Sequence, residues 1–230
     1  MAEKIGNDEV RYFIVAFKYG ECGWDWPKVA IGLSKVDINW TNSSRSETDK
    51  IKMCQYNVYR TTDDHIHAES HFLDSLRNIT SEKDKKIIHI NAELVQNYSP
   101  CSECARKFVE FIQEIKKKRI IFSLTIKFAN FYKCYYTLEN DSWKRSSPSK
   151  ECLDGLVKLR QNGVTLQLLQ GEQDWEKFVR DERFVEISEK NRTRLLEMAT
   201  SDERKEREKV DKIILKYIET EALSKPKTTK

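Results

Sequence analysis

Residues 85–132, "KKIIHINAELVQNYSPCSECARKFVEFIQEIKKKRIIFSLTIKFANFY", decide the fold. The first part, residues 85–100, is rich in β-branched and apolar residues and is closed by Pro100, which reads as a strand. "SECARKFVEFIQEIKKK" (102–118) then changes to helical spacing, with Ala105, Phe108, Val109, Ile112 and Ile115 inward. Its basic end suits the negative pole of the helix dipole and is not read as a nuclear signal. "IIFSLTIKFANFY" (120–132) is a buried strand. An aromatic and basic loop, "KCYYTLENDSWKRSSPSK", leads to a helix over residues 151–161, an Asn-Gly turn and a strand over 162–170. Strand, helix, strand, helix, strand from 86 to 170 defines an α/β sheet. Its short crossovers imply parallel, right-handed connections.

Working outward, "VRYFIVAFKYG" (10–20) and "KVAIGLSKV" (28–36) read as two strands of an antiparallel pair. Residues 37–64 are polar and read as a long loop around one short extended piece, "QYNVYR". From Glu69 the apolar stripe of Phe72, Leu73, Leu76 and Ile79 predicts a helix. "DWEKFVRDERFVEISEKNRTRLLEMA" (174–199) supplies one or two more. Val210, Ile213, Ile214, Tyr217 and Ile218 give the last helix one apolar face. The expected division is a main folded domain over 1–200, a charged amphipathic helix over 201–222 packed on it, and a flexible tail over 223–230.

Hydrophobic residues make up 39% of the 230-residue chain and charged residues 34%. Much of that charge sits in "SDERKEREKVDKIILKYIE" (201–219) and "SKPKTTK" (224–230), so residues 10–180 remain apolar enough for an ordinary core. A net charge of +4 and a pI near 8.6 are mildly basic, short of the pI above ~9 typical of a dedicated nucleic-acid binder. "MAEKIGNDEV" lacks an apolar signal-peptide core, and no run of ~18 apolar residues exists. The expectation is a cytoplasmic or nuclear protein with reduced cysteines, of which only Cys101 and Cys104 form a close pair.

Three of the four histidines, His65, His67 and His71, lie in "TDDHIHAESHFLDSL" (62–76), just before and inside the helix expected from Glu69. Read with the distant cysteines, the chain carries His67-Ala68-Glu69 and, after residues 70–99, Pro100-Cys101-Ser102-Glu103-Cys104. This is the H-x-E…P-C-x-x-C signature of zinc nucleobase deaminases. Two thiolates and one imidazole suit zinc and leave a fourth tetrahedral position for water. Both halves begin helices, whose dipole and free N–H groups favour thiolates. Glu69, two residues past the histidine, is placed to move protons without binding the ion. A closed structural site of His67, His71, Cys101 and Cys104 is the rival reading, since His71 lies one helical turn on. His65 reads as a polar residue ahead of the helix.

These residues resemble those of the AID/APOBEC polynucleotide cytidine deaminases, in a divergent, invertebrate- or early-vertebrate-like form. "YSPC" (98–101), "CARKFVEFIQEI" (104–115), "LTIKFANFY" (124–132), "LRQNGVTLQLLQ" (159–170) and "SEKNRTRLLEMA" (188–199) extend the likeness over roughly residues 11–200. The resemblance implies a five-stranded mixed sheet with helices on both faces. It also implies hydrolysis of cytosine to uracil, with His67, Cys101 and Cys104 holding Zn2+ and Glu69 shuttling protons. The main-chain N–H of Ala68 would meet the base carbonyl and the carbonyl of Ser99 the amine. Tyr98, where a Trp is usual, and Tyr132 would wall the base. Arg11, Tyr135, Trp143, Lys144 and Arg145 would meet single-stranded DNA, or RNA, by stacking and charge.

The chain departs from that pattern in places. With only residues 1–10 ahead of "RYFIVAF", no helix is expected before the first strand, which shortens the loop beside the pocket and puts Arg11 there. Thr62 lies near the position of the family's pocket asparagine, and the recognition loop is long. Other readings are a deaminase of RNA or free cytidine, and a non-catalytic, zinc-stabilised nucleic-acid-binding protein.

Overall fold

The computed structural model describes residues 3–15, 29–42, 51–61, 66–82, 85–134, 136–137, 142–143 and 147–224. Strands β1 (Ile31–Asn42), β2 (Ile51–Arg60), β3 (Lys85–Tyr98), β4 (Ile121–Asn130) and β7 (Thr165–Leu168) form one sheet in the order β2-β1-β3-β4-β7. β1 is antiparallel to both its neighbours, whereas β3–β4 and β4–β7 are parallel. The two parallel steps are the crossovers expected from residues 86–170. They run through α3 (Ser102–Lys117) and α4 (Ser147–Gln161). Between β4 and α4, the two-residue strands β5 (Tyr136–Thr137) and β6 (Ser142–Trp143) pair antiparallel.

Strand alternation sorts the core into two layers. Val36, Ile38, Ile90, Ala92, Leu94, Leu124, Ile126 and Phe128 face one side. There they pack on Phe72, Leu73 and Leu76 of α2 (Ala68–Ser81), Phe108 and Phe111 of α3, and Leu156 of α4. Val210, Ile214 and Ile218 of α7 (Asp202–Ser224) join that layer. Ile31, Leu33 and Ala129 face the opposite side, against α1 (Asn7–Ile14), α5 (Gly171–Val179) and α6 (Glu189–Ala199). The fold is therefore α/β, a five-stranded mixed sheet with helices on both faces. No helix among the described residues is long and apolar enough to cross a membrane.

The amino-terminal expectation is corrected. Residues 7–14 form a helix, not a strand, and residues 16–20 lie outside the described residues. The aromatic and β-branched composition suggests β-structure, but the buried residues Val10, Phe13 and Ile14 recur at helical spacing. Asp8 and Glu9 favour the helix start through the dipole, and the Gly6 N–H donates to the Glu9 carboxylate at 3.1 Å. A helix thus does precede the first strand. Arg11 sits on its exposed side rather than in a loop before a strand.

The strand that pairs antiparallel on the outer edge of β1 is β2, with Ile31 opposite Arg60 and Trp40 opposite Ile51. Most of the stretch read as a polar loop is strand. The signal there is the alternation of buried Val36, Ile38 and Trp40 with the polar residues Lys35, Asp37 and Asn39.

Two glycines hold α4 in place. At Gly163, φ is +89°, so the Asn-Gly turn into β7 takes the left-handed conformation that glycine tolerates. At Gly155, an added Cβ would lie 3.0 Å from the Ala105 side chain and 3.3 Å from Ser102 Cα. Helix α4 can press against the start of α3 only because no side chain intervenes.

Candidate metal centre and substrate pocket

Parallel β-α units gather their chemistry at the carboxyl ends of the strands, and this chain does so. His67 is the N-cap of α2 and Cys101 the N-cap of α3, both in extended backbone conformation. The two helix starts bring His67 Nδ1 to 3.1 Å from Cys104 Sγ and 3.5 Å from Cys101 Sγ. The three donor atoms lie within 4.8 Å of one another. Ligands around one tetrahedral ion at ~2.0–2.3 Å fall at such separations. His71 stands outside this group, so the trio is not closed by the fourth protein ligand of the rival reading. His65 and Thr62 lie outside the described residues.

Local electrostatics set Cys101 apart from the other buried cysteines. The Cys101 thiol is pulled down to about 5, first by the hydrogen bond from the Cys104 thiol, with the Cys104 and Glu103 main-chain N–H groups and His67 assisting against burial. Cys104 moves up in the same exchange, because its proton is the one shared. Burial pushes Cys152 up to about 11 and Cys134 well above the ordinary thiol range, so neither offers a thiolate.

Glu69 is 4% exposed, in the first turn of α2. Burial holds its carboxyl above the usual range, and the charge of Cys101 adds to the shift. Its Oε2 is buried without a hydrogen-bond partner among the described residues. A buried, unpartnered carboxylate oxygen beside a His-Cys-Cys trio fits a bound metal ion and the polar ligand it carries. His67, Cys101 and Cys104 can hold that ion.

A family model described as "APOBEC3, cytosine deaminase domain" matches residues 36–191, well over half of the chain. The chain belongs to this family. No curated protein matches it. The matched region contains the whole trio, Glu69 and the strands that end at the pocket of this cytosine deaminase domain.

Around the trio, the deaminase domain places several of the expected substrate contacts together. Ala68 occupies the first helical position of α2, where the N–H has no intrahelical acceptor. Tyr98 ends β3 and Tyr132 follows β4, with ring centroids 6.0 Å apart and planes tilted by 59°. Burial raises the Tyr98 phenol above its ordinary range, so it stays protonated. Ser99 ties the two strand ends. Its N–H donates to the Asn130 carbonyl at 2.8 Å, and its Oγ accepts from the Tyr132 N–H at 3.0 Å. The Lys133 ammonium lies 5.1 Å from the Tyr132 ring centroid.

The residues expected to meet nucleic acid fare differently. Arg11 is on α1, and Trp143 pairs with Tyr136 in the β5–β6 ribbon. Tyr135, Lys144 and Arg145 lie outside the described residues. Gln96, which sequence reasoning missed, donates its amide to the Glu69 carboxylate and is 1% exposed. Asn97 beside it is fully buried. The polar pair in the apolar run "LVQNY" is the signal for both.

Proposed function

We propose that the protein hydrolytically deaminates cytosine to uracil in single-stranded polynucleotide, DNA foremost, with Zn2+ held by His67, Cys101 and Cys104. The observation that carries this reading is the buried Glu69 carboxylate, its Oε2 without a hydrogen-bond partner among the described residues, adjoining the His-Cys-Cys trio. A closed structural metal site has no use for it. A zinc ion in the trio supplies Lewis-acid chemistry, lowering the pKa of water towards ~7.

The chain's own residues then divide the work. Glu69 takes a proton from the attacking water as the C4–O bond forms and hands it to the exocyclic nitrogen as the C4–N bond breaks, so ammonia leaves and uracil remains in the strand. Burial raises its pKa, which suits a group that must both accept and return a proton. The Ala68 N–H donates to the base carbonyl, and the Ser99 carbonyl accepts from the amine. Tyr98 and Tyr132 wall the base. Tyr135, Trp143, Lys144 and Arg145 take flanking bases and phosphates in the recognition segment, with Arg11 a further cation on α1. Residues 1–200 make up the catalytic unit, and α7 packs on it as an extension.

Single strands are favoured because an unpaired base carries no cost of flipping out of a duplex. Incubating the purified protein with random single-stranded DNA and RNA libraries, followed by deep sequencing, tests the substrate class. Uracil in the DNA library is expected, with less conversion of RNA. Conversion of RNA or free cytidine alone would replace this reading with the corresponding alternative.

A further inference from the structure

Helix α7 lies beyond residues 36–191, the region matched to the family, yet it buries four charged side chains: Arg204, Arg207, Glu208 and Asp211. At i, i+3, i+4 and i+7 they make one stripe, where a packed helix normally presents apolar residues. Val210, Ile214 and Ile218 supply that apolar contact further along. Buried charge is costly unless its partners are well placed, and apolar side chains of similar volume commonly pack as well or better. A buried guanidinium pair therefore calls for more than packing.

The partners lie at the end of β4. Arg204 donates from Nη1 to Asn130 Oδ1 at 2.8 Å and from Nη2 to the Ala129 carbonyl. Its guanidinium lies 4.8 Å from the Trp175 ring centroid, and Glu208 completes the surround by accepting from Trp175 Nε1 at 3.0 Å. Arg207 donates to the Phe131 carbonyl at 3.4 Å and pairs with Asp211 at 3.2 Å. Three consecutive residues, 129–131, are thus held from α7. The next residue is Tyr132.

Asn130 carries the connection inward. Its Nδ2 donates to the Asn97 carbonyl at 3.2 Å and the Phe13 carbonyl at 3.3 Å. Asn97 in turn accepts from the Ile31 N–H at 2.8 Å and donates to the Val29 carbonyl at 2.9 Å. One buried chain of hydrogen bonds joins α7, β4, β3 and the start of β1. Tyr98 directly follows Asn97, and Tyr132 follows Phe131, so both aromatic walls hang from it.

We propose that Arg204 and Arg207 are positioning residues: α7 clamps the end of β4 and so sets how firmly Tyr132 holds the nucleic acid. The rigid fork of a guanidinium suits this task because it fixes several acceptors at once. The inference rests on the deaminase reading above.

The test compares wild type, R204M, R204K and I218A, well below the lowest unfolding midpoint. KM and kcat are measured on a single-stranded DNA oligonucleotide, and Kd for the same strand by fluorescence anisotropy. R204M is expected to raise KM and Kd roughly tenfold while kcat changes by less than about twofold. R204K, with one ammonium in place of the fork, falls between. I218A, in the apolar half of the same helix, lowers the unfolding midpoint but leaves KM and Kd near wild type. Unchanged KM and Kd in both arginine variants overturns the proposal, and so does a rise in I218A equal to that in R204M. If R204M does not fold, R204K carries the comparison. If wild type makes no uracil, the deaminase reading fails, and Kd alone decides the positioning role.

Discussion

The main-chain N–H of Tyr132 donates to Ser99 Oγ at 3.0 Å, fastening the segment after β4 to the residue that follows β3. Ser99 is buried and Tyr132 half-buried, so loss of the hydroxyl leaves the Tyr132 N–H without this acceptor. Ser99→Ala should cost about 1–2 kcal/mol of stability by denaturant unfolding, the range for an orphaned buried donor. KM for the oligonucleotide should rise several-fold, with metal content unchanged.

Helix α1 is tied to β2 by Glu9, which accepts from Arg60 Nε and from the Gly6 N–H. Burial works to raise the Glu9 pKa, but the Arg60 and Gly6 bonds outweigh it and the net shift is downward. A depressed carboxylate stabilises the fold above its unfolded pKa, and that contribution is lost as pH falls through the folded value. Glu9→Gln should therefore cost about 1 kcal/mol or less at pH 7 and nothing at the acid end. Thermal unfolding of both proteins between pH 7 and pH 3 should show the two midpoints converging.

Arg207 and Asp211 form an ion pair in which each side chain is 2% exposed. Breaking such a pair leaves a buried charge poorly compensated. Asp211→Ala should destabilise by about 3 kcal/mol or more, measured by chemical denaturation.

The close approach at Gly155 bears directly on the metal ligands. Gly155→Val would drive a side chain into Ala105 and Ser102, which flank Cys104 on α3. Overpacking of this kind costs about 1–3 kcal/mol. Because the displaced helix carries Cys104, elemental analysis should also show less bound metal than in wild type.

The parts of the molecule legible in the sequence are those whose signals are local and periodic. The β3-α3-β4 unit and the Asn162-Gly163 turn follow from spacing and turn chemistry, and the trio follows from matching Glu69's register to the distant cysteines. The amino terminus misleads because "RYFIVAF" has strand composition, while only the placement of Val10, Phe13 and Ile14 against α5 and α6 selects a helix. The β1–β2 hairpin is hidden for the opposite reason: one face of the pair is polar, so its alternation looks like loop. The buried Arg204–Asn130–Asn97 chain has no sequence signature, since its members lie far apart and meet only when α7 docks.

The central claim is that Glu69 moves protons beside a metal held by His67, Cys101 and Cys104. Its most direct test is uracil formation in a single-stranded DNA oligonucleotide by wild type and Glu69→Gln, with zinc content measured on the same samples. Both proteins should carry zinc, and the variant should lose at least ~100-fold in kcat, as expected for removal of a general acid–base group. Equal activity in the two proteins, or no uracil from zinc-loaded wild type across several sequence contexts, would contradict the account.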